Sequence, residues 1–289
     1  MIRSPLRPVL RPVLRSVLAT RFSGILDRVP GAAAAYSLEL FTRSFANAPV
    51  VRVRRDSDDA EQNFTAAEVS GGALVAFCGA GNGFVTTWYD QSGNTRNLQQ
   101  AVSTSQPQIV IAGALVTKNG KPSILPDGTN DFLTNINAYW NTFISSDFST
   151  YAVMEKTTGL DQLAWAIGAR TGDNANWLIG GDSTIGNYQY RGRRAATSFT
   201  GIASSTMGLF SSLDISGGGA RIDGAGGADG VANRTIVSDR FVLFDRREGS
   251  SAPFSGAISA AIFYPSDQSA NNAAIESALA EIYGITLAP

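Results

Sequence analysis

The residues with the clearest chemical potential lie where a strand-like run ends. Trp88 and Tyr89 are followed at once by Asp90 and Gln91. Aromatic faces beside carboxylate and amide groups suit carbohydrate recognition, because a pyranose presents an apolar face and a rim of hydroxyl groups. These four residues are therefore candidate carbohydrate contacts. The same pattern also fits a core strand that ends in a turn, with Asp90 and Ser92 holding a corner of the fold through hydrogen bonds.

A second aromatic and charged group lies in the middle of the chain. Tyr188 and Tyr190 precede the arginines Arg191, Arg193 and Arg194. This group predicts contact with an acidic glycan or a neighbouring subunit, and a solvated basic patch is the alternative.

Composition removes several classes of chemistry. The 289 residues include no histidine and one cysteine, which excludes an intrachain disulfide, histidine-based triads and the usual zinc sites. Asp127 and Asp131 bracket a turn and are expected to form it, with calcium binding as the alternative. We expect no cofactor and no metal.

Charge and hydrophobicity also limit the partners. Lys and Arg number 23 against 24 Asp and Glu, so no global field favours nucleic acid. No apolar run is long enough to span a bilayer, so no membrane partner is expected.

The elements that must position these residues are mostly strands. Thirty glycines and many short apolar runs between polar turns predict a β-sandwich with a few short helices. An alanine-rich stretch predicts a helix over residues 31–45, and the apolar spacing after Asp267 predicts a terminal helix that stops at Gly284. The expected strands are residues 50–54, 84–89, 109–116, 148–154, 162–168, 176–179, 187–191, 207–214, 240–244 and 254–264.

The first 28 residues differ from the rest. They contain a four-residue repeat, Arg-Pro-Val-Leu. Proline at every fourth residue favours an extended arm over a helix. Three interpretations are open: a solvated tail, an anchoring arm that docks on a partner protein, and a transit or nucleic-acid-binding segment. We divide the chain into an arm, residues 1–30, and a domain, residues 31–289. The candidate anchoring residues are Arg7, Val9, Leu10, Arg11, Val13, Leu14 and Arg15.

Several segments resemble a known family. Residues 35–38, 51–58 and 87–93 resemble the catalytic domain of the family 54 α-L-arabinofuranosidases, which is a concanavalin A-like, jelly-roll β-sandwich. Residues 121–122, 127–133 and 264–269 resemble the same lectin-like group as it occurs in tailed-phage virion proteins. The resemblance spans about residues 32–285 and implies the jelly-roll fold.

The resemblance also implies a catalytic pair, and only one member of it has a counterpart. Retaining glycosidases need two carboxyl groups about 5 to 5.5 Å apart. Asp245 falls where the family's acid/base residue lies, although a surface ion pair with Arg246 or Arg247 is the alternative role. No glutamate occurs in the Gly-Glu-Gly context of the nucleophile. The chain is therefore expected to bind its ligand without catalysing a reaction.

These observations predict a structural protein on the surface of a tailed-phage particle. Its expected partners are other virion proteins, reached through the arm, further copies of the same chain, and host-surface polysaccharide. An arabinofuranosidase-like glycoside hydrolase is the alternative.

Overall fold

A computed structural model of the chain describes most of the predicted domain. The described residues are 23–144, 146–156, 162–168, 175–181, 187–191, 196–200, 208–214, 220–222, 225–226, 240–245 and 253–287. The seven candidate anchoring residues lie outside them. Side chains are not described for residues 156–207 or 214–239, so the structure gives no contacts for Tyr188 and Tyr190.

Strands dominate the described chain, as the sequence predicts. The described residues form five helices, α1 (Ile25–Arg28), α2 (Ala66–Ser70), α3 (Ala73–Cys78), α4 (Tyr139–Phe143) and α5 (Asn272–Tyr283), and Arg43–Phe45 and Ser103–Ser105 form single 3₁₀ turns. The strands of the first half are β1 (Ala34–Ser37), β2 (Val51–Arg55), β3 (Glu61–Phe64), β4 (Gly83–Trp88), β5 (Leu98–Gln99), β6 (Gln108–Ile111), β7 (Ala114–Leu115), β8 (Thr117–Lys118), β9 (Lys121–Pro122) and β10 (Leu133–Ile136). Those of the second half are β11 (Phe148–Lys156), β12 (Gln162–Gly168), β13 (Ala175–Gly181), β14 (Asn187–Arg191), β15 (Ala196–Thr200), β16 (Gly208–Asp214), β17 (Ala220–Ile222), β18 (Ala225–Gly226), β19 (Arg240–Leu243) and β20 (Gly256–Tyr264).

The strands form two large antiparallel sheets and a small hairpin. The six-stranded sheet has the order β1-β20-β11-β16-β17-β18. The twelve-stranded sheet has the order β15-β14-β13-β12-β19-β10-β5-β4-β2-β3, with β6 and β7 attached at β4. Strands β8 and β9 pair with each other. This architecture confirms the predicted, mostly β sandwich.

The core between the sheets is aromatic. Tyr36 and Phe263 of the smaller sheet meet Trp88 and Phe241 of the larger one, with Phe241 and Phe263 centred 5.0 Å apart. Alternate residues of a strand face opposite sides of its sheet. The opposite face of the smaller sheet is therefore available to other elements, and α1 and α5 cover it in a second buried cluster that includes Ile262.

The predicted helix over residues 31–45 is wrong. Ala34–Ser37 is instead β1, and each of its residues pairs with β20, from Ala34 opposite Phe263 to Ser37 opposite Ala260. All four are buried. Pairing and burial override the helical preference of alanine, because propensity is a weak term beside tertiary contacts.

The boundary of the predicted arm also needs correction. Residues 25–28 form α1, and Ile25, Leu26 and Val29 are buried against the second cluster. Residues 23–30 therefore belong to the folded domain. The predicted terminal helix is confirmed as α5, which runs from Asn272 to Tyr283 and is followed by Gly284 in the left-handed conformation. None of the helices in the described part is long and apolar enough to cross a membrane.

Candidate functional site

The corner after β4 contains the four residues identified first. Trp88 ends β4 and is fully buried in the core, 5.8 Å from the Tyr36 ring. The neighbouring Tyr89 is partly exposed, and its hydroxyl donates a hydrogen bond to Asn63 Oδ1 at 2.9 Å.

Asp90 is the acceptor that organises this corner. Its buried carboxylate accepts hydrogen bonds from the backbone N–H groups of Ala35 (2.9 Å), Ser92 (2.8 Å) and Arg96 (3.0 Å), and from the Ser92 hydroxyl (2.9 Å). One side chain therefore joins the end of β4 to β1. The hydrogen-bonded corner predicted for Asp90 and Ser92 is confirmed.

Gln91 makes the same connection beside it. Its amide oxygen accepts from Phe41 N at 2.8 Å, and its amide nitrogen donates to the carbonyls of Ser37 and Glu39, both at 2.9 Å. Trp88, Asp90 and Gln91 are thus all interior. Carbohydrate contact by this group stays a prediction, and Tyr89 is its one partly exposed member.

Asp245 lies directly after β19 and is fully buried. The carboxyl group therefore does not lie at the surface, and its pairing with Arg246 or Arg247 stays a prediction. Arg246 and Arg247 lie outside the described residues.

An open groove on the larger sheet offers a different surface. It encloses about 430 Å³ and is lined by Gln99, Gln100, Ala101, Phe132, Thr134, Asn135 and Ile136, from β5, β10 and the segments beside them. Ile136 is 61% exposed, and Val102, next to the lining residue Ala101, is 56% exposed. These are the two most exposed large apolar side chains among the described residues, so apolar surface collects beside the groove.

Most polar groups of the groove are held in place. The Asn135 amide nitrogen donates to Asn97 O at 3.0 Å, and its oxygen accepts from the Trp140 indole N–H at 2.8 Å. The Gln100 oxygen accepts from Val102 N at 2.9 Å. Gln99 is exposed, and its amide makes no hydrogen bond to any described residue. The groove therefore combines fixed amides, one free amide and apolar side chains.

Sequence reasoning missed this groove. None of the residues that line it was a candidate site residue. The only local signal was alternation, in which the buried residues Leu98 and Leu133 are followed by the more exposed Gln99 and Thr134. No single-sequence pattern indicated that β5 and β10 are neighbours.

The loop between Asp127 and Asp131 is a hydrogen-bonded turn, as predicted. Asp127 Oδ1 accepts from the backbone N–H groups of Thr129, Asn130 and Asp131, while Asp131 Oδ2 accepts from Asp127 N at 2.8 Å. No cluster of three His, Cys, Asp or Glu residues suited to a metal occurs in the described ranges. Burial, with a smaller contribution from the Asp127 charge, raises the pKa of Asp131 to about 6.

We expect Asp131→Asn to change the pH dependence of stability. A carboxyl whose pKa is raised by folding stabilises the fold when protonated, and that contribution is lost as pH rises from about 4 through about 6. Over this window the free energy of unfolding of the wild type should fall by about 1–3 kcal/mol relative to the variant. Urea denaturation at several pH values measures this difference in the free energy of unfolding. Glu281→Gln, at an exposed glutamate of α5, should keep the wild-type profile; parallel profiles for wild type and Asp131→Asn would contradict the assignment.

Comparison with known proteins identifies the fold. No protein-family model matches the sequence, and a comparison with curated proteins finds no match. Among solved structures, the chain is similar to an arabinofuranosidase in complex with arabinofuranosyl-α-1,2-xylobiose (TM-score 0.65, 16% identity) and to a GH54 α-L-arabinofuranosidase soaked with a cyclic sulfate inhibitor (TM-score 0.63, 14% identity). Each match covers 86% of this chain and 62% of the other.

A further similarity is to the Trypanosoma rangeli sialidase in complex with 2,3-difluorosialic acid, with a TM-score of 0.50, 14% identity, and coverage of 68% of this chain and 31% of the other. The chain therefore has a β-sandwich fold of the concanavalin A-like type. It spans less than two thirds of the length of the arabinofuranosidases it matches. At these identities the similarity establishes the fold alone.

Proposed function

We propose that the chain is a carbohydrate-binding, lectin-like domain without catalytic activity, displayed on the surface of a tailed-phage particle. The observation that carries the carbohydrate part is the groove between β5 and β10. The exposed Gln99 amide can exchange hydrogen bonds with sugar hydroxyls, and Ile136 offers apolar surface to the C–H face of a sugar ring. The likeness to carbohydrate-active folds supports the same class of ligand.

The proposed virion role rests on the sequence that precedes the domain. Five arginines and no acidic residue occur in the first 22 residues, and three of these arginines, Arg7, Arg11 and Arg15, lie in the four-residue repeat. The described residues begin directly after this segment, and α1 packs the start of the domain against the second cluster. We propose that this shorter arm anchors the domain to other virion proteins and further copies of the chain, with host polysaccharide as ligand.

The groove proposal is tested on a glycan array followed by calorimetry. Ile136→Ser and Gln99→Ala should each weaken binding about tenfold, since losing one apolar contact or hydrogen bond costs about 1–1.5 kcal/mol. Matched controls are Ile111→Ser, at an exposed isoleucine of the β6–β7 hairpin, and Gln62→Ala, at an exposed glutamine of β3. Equal losses in variants and controls would argue against the groove.

A separate assay tests the proposal that the domain does not catalyse glycoside hydrolysis. The purified chain should release no arabinose from an aryl α-L-arabinofuranoside. Hydrolysis that disappears in Asp245→Asn would instead establish the glycosidase alternative.

Removal of residues 1–22 tests the arm. The truncated chain should keep the melting temperature of the full chain, because α1 and the second cluster remain intact. In a co-expression pull-down with the structural proteins of its particle, it should lose at least about nine tenths of the captured material, since a lost anchor of even 1.4 kcal/mol costs tenfold in affinity. Undiminished capture would count against the anchoring role.

A further inference from the structure

We infer that the groove binds a neutral, extended glycan lying across strands β10, β5, β4 and β2, rather than a single terminal sugar. The inference rests on the proposed carbohydrate function and deepens it by naming the class of ligand. It depends on which side chains the strand register places in one row.

The register aligns four polar side chains across four neighbouring strands. Thr134 lies opposite Gln99, Gln99 opposite Thr87, and Thr87 opposite Arg52. Directly paired residues of neighbouring strands point to the same face and are separated by about one strand spacing, ~4.8 Å. The row therefore runs perpendicular to the strands for about 14 Å.

The row faces away from the aromatic core. The neighbours of its members along each strand are Leu133, Leu98, Trp88 and Val51, and all four are buried between the sheets. Because side chains alternate across a sheet, the row points to the outer face. Thr87 is nearly buried while Gln99 and Arg52 on either side of it are exposed, so the middle of the row is recessed.

The arginines around the row already have interaction partners. The residues that line the groove include no ionisable side chain. Arg52 pairs with Glu61 at 2.7 Å, and Arg54, two residues further along β2, pairs with Asp59 at 2.6 Å. Arg240 lies opposite Ile136, but it is buried at 7% exposure and has an interaction partner of its own.

A ligand that carries carboxylates or sulfates would therefore lose hydration without gaining a free cation, which is unfavourable. Neutral sugars need only hydroxyl, amide and apolar contacts, which the row and the groove supply. A row about 14 Å long gives each of about three consecutive sugars a polar partner at the strand spacing. This length favours an internal stretch of a polysaccharide as ligand.

The inference is tested by calorimetry with the full chain and two sets of probes. The neutral set comprises xylo-, arabino- and gluco-oligosaccharides from disaccharide to hexasaccharide, and the acidic set comprises oligogalacturonates of the same lengths. In the neutral series that binds, affinity should rise about tenfold from disaccharide to tetrasaccharide and then level off. The acidic set should bind at least about tenfold more weakly.

Variants separate the two ends of the row. Gln99→Ala should weaken binding at every length, whereas Arg52→Ala should weaken tetrasaccharide binding about fivefold and leave the disaccharide unchanged. Arg28→Ala, at an exposed arginine of α1, is the matched control and should have no effect. Losing the surface Arg52–Glu61 pair should leave the fold intact.

Tighter binding of oligogalacturonates, or affinity that does not change with length, would overturn this inference and leave the proposed carbohydrate function standing. Absence of binding to every glycan on the array would overturn both.

Discussion

Asp90→Ala is expected to lower the free energy of unfolding by about 3–5 kcal/mol, since it removes several charge-assisted hydrogen bonds and leaves their donors buried. Asp90 is 2% exposed and accepts hydrogen bonds from the backbone of Ala35, Ser92 and Arg96. Its loss removes one of the links between the corner after β4 and β1, the edge strand of the smaller sheet, while the link through Gln91 remains. Guanidinium denaturation followed by circular dichroism measures the change.

Two further variants define the origin of this loss. Asp90→Asn keeps one acceptor oxygen but turns an NH₂ group toward N–H donors, so its effect should fall between wild type and Asp90→Ala. Glu281→Ala, at an exposed carboxylate of α5, should change stability by less than about 0.5 kcal/mol. A loss below about 1 kcal/mol in Asp90→Ala would show that the corner does not depend on this carboxylate.

The sequence predicts the strands well where the signals are local. The bounds of β12 and β14 are those expected from their apolar and aromatic runs. Short runs of strand-favouring residues between glycines are sufficient here, since each element is specified by its own residues and its turns.

Elements defined by distant partners were not predictable in this way. The alanine-rich segment around Ala34 has no local feature that favours a strand over a helix, and β20, which pairs with it, lies near the other end of the chain. The same holds for α1, whose burial depends on α5. Propensity is too weak a term to decide such cases.

The same distinction between local and distant partners applies to the Asp90 corner and the groove. The Asp90 to Ser92 hydrogen bonds are local and were anticipated, whereas the contact of Asp90 with Ala35 crosses 55 residues. The groove requires β5 beside β10, a pairing that rests on the single register pair Thr134 and Gln99. A site formed by two strands that are distant in sequence becomes visible only when the sheet order is known.

Trp140→Ala is expected to lower the free energy of unfolding by about 3–5 kcal/mol, the range typical of a fully buried aromatic residue. Trp140 lies between the sheets, with ring centroids 4.9 Å from Phe241, 5.7 Å from Phe143 and 5.9 Å from Phe263. Its indole N–H group also donates to Asn135 Oδ1, on the core-facing side of β10, where Asn135 lies opposite Phe241. Chemical denaturation measures the loss of stability, and glycan calorimetry on a milder variant measures any effect of the indole N–H group on the groove.

Trp140→Phe separates these two roles. It keeps an aromatic ring in the core but removes the N–H donor, so stability should fall by about 1–2 kcal/mol while the Asn135 amide loses a fixed partner. Glycan affinity should stay within about twofold of the wild type, because Asn135 lies on the core-facing side of β10 together with Leu133. Phe143→Leu is the matched control, since it weakens the same cluster without touching Asn135. If both variants bind glycan as the wild type does, Trp140 serves the core alone; if only Trp140→Phe binds more weakly, the interior of the sandwich also orders its outer binding surface.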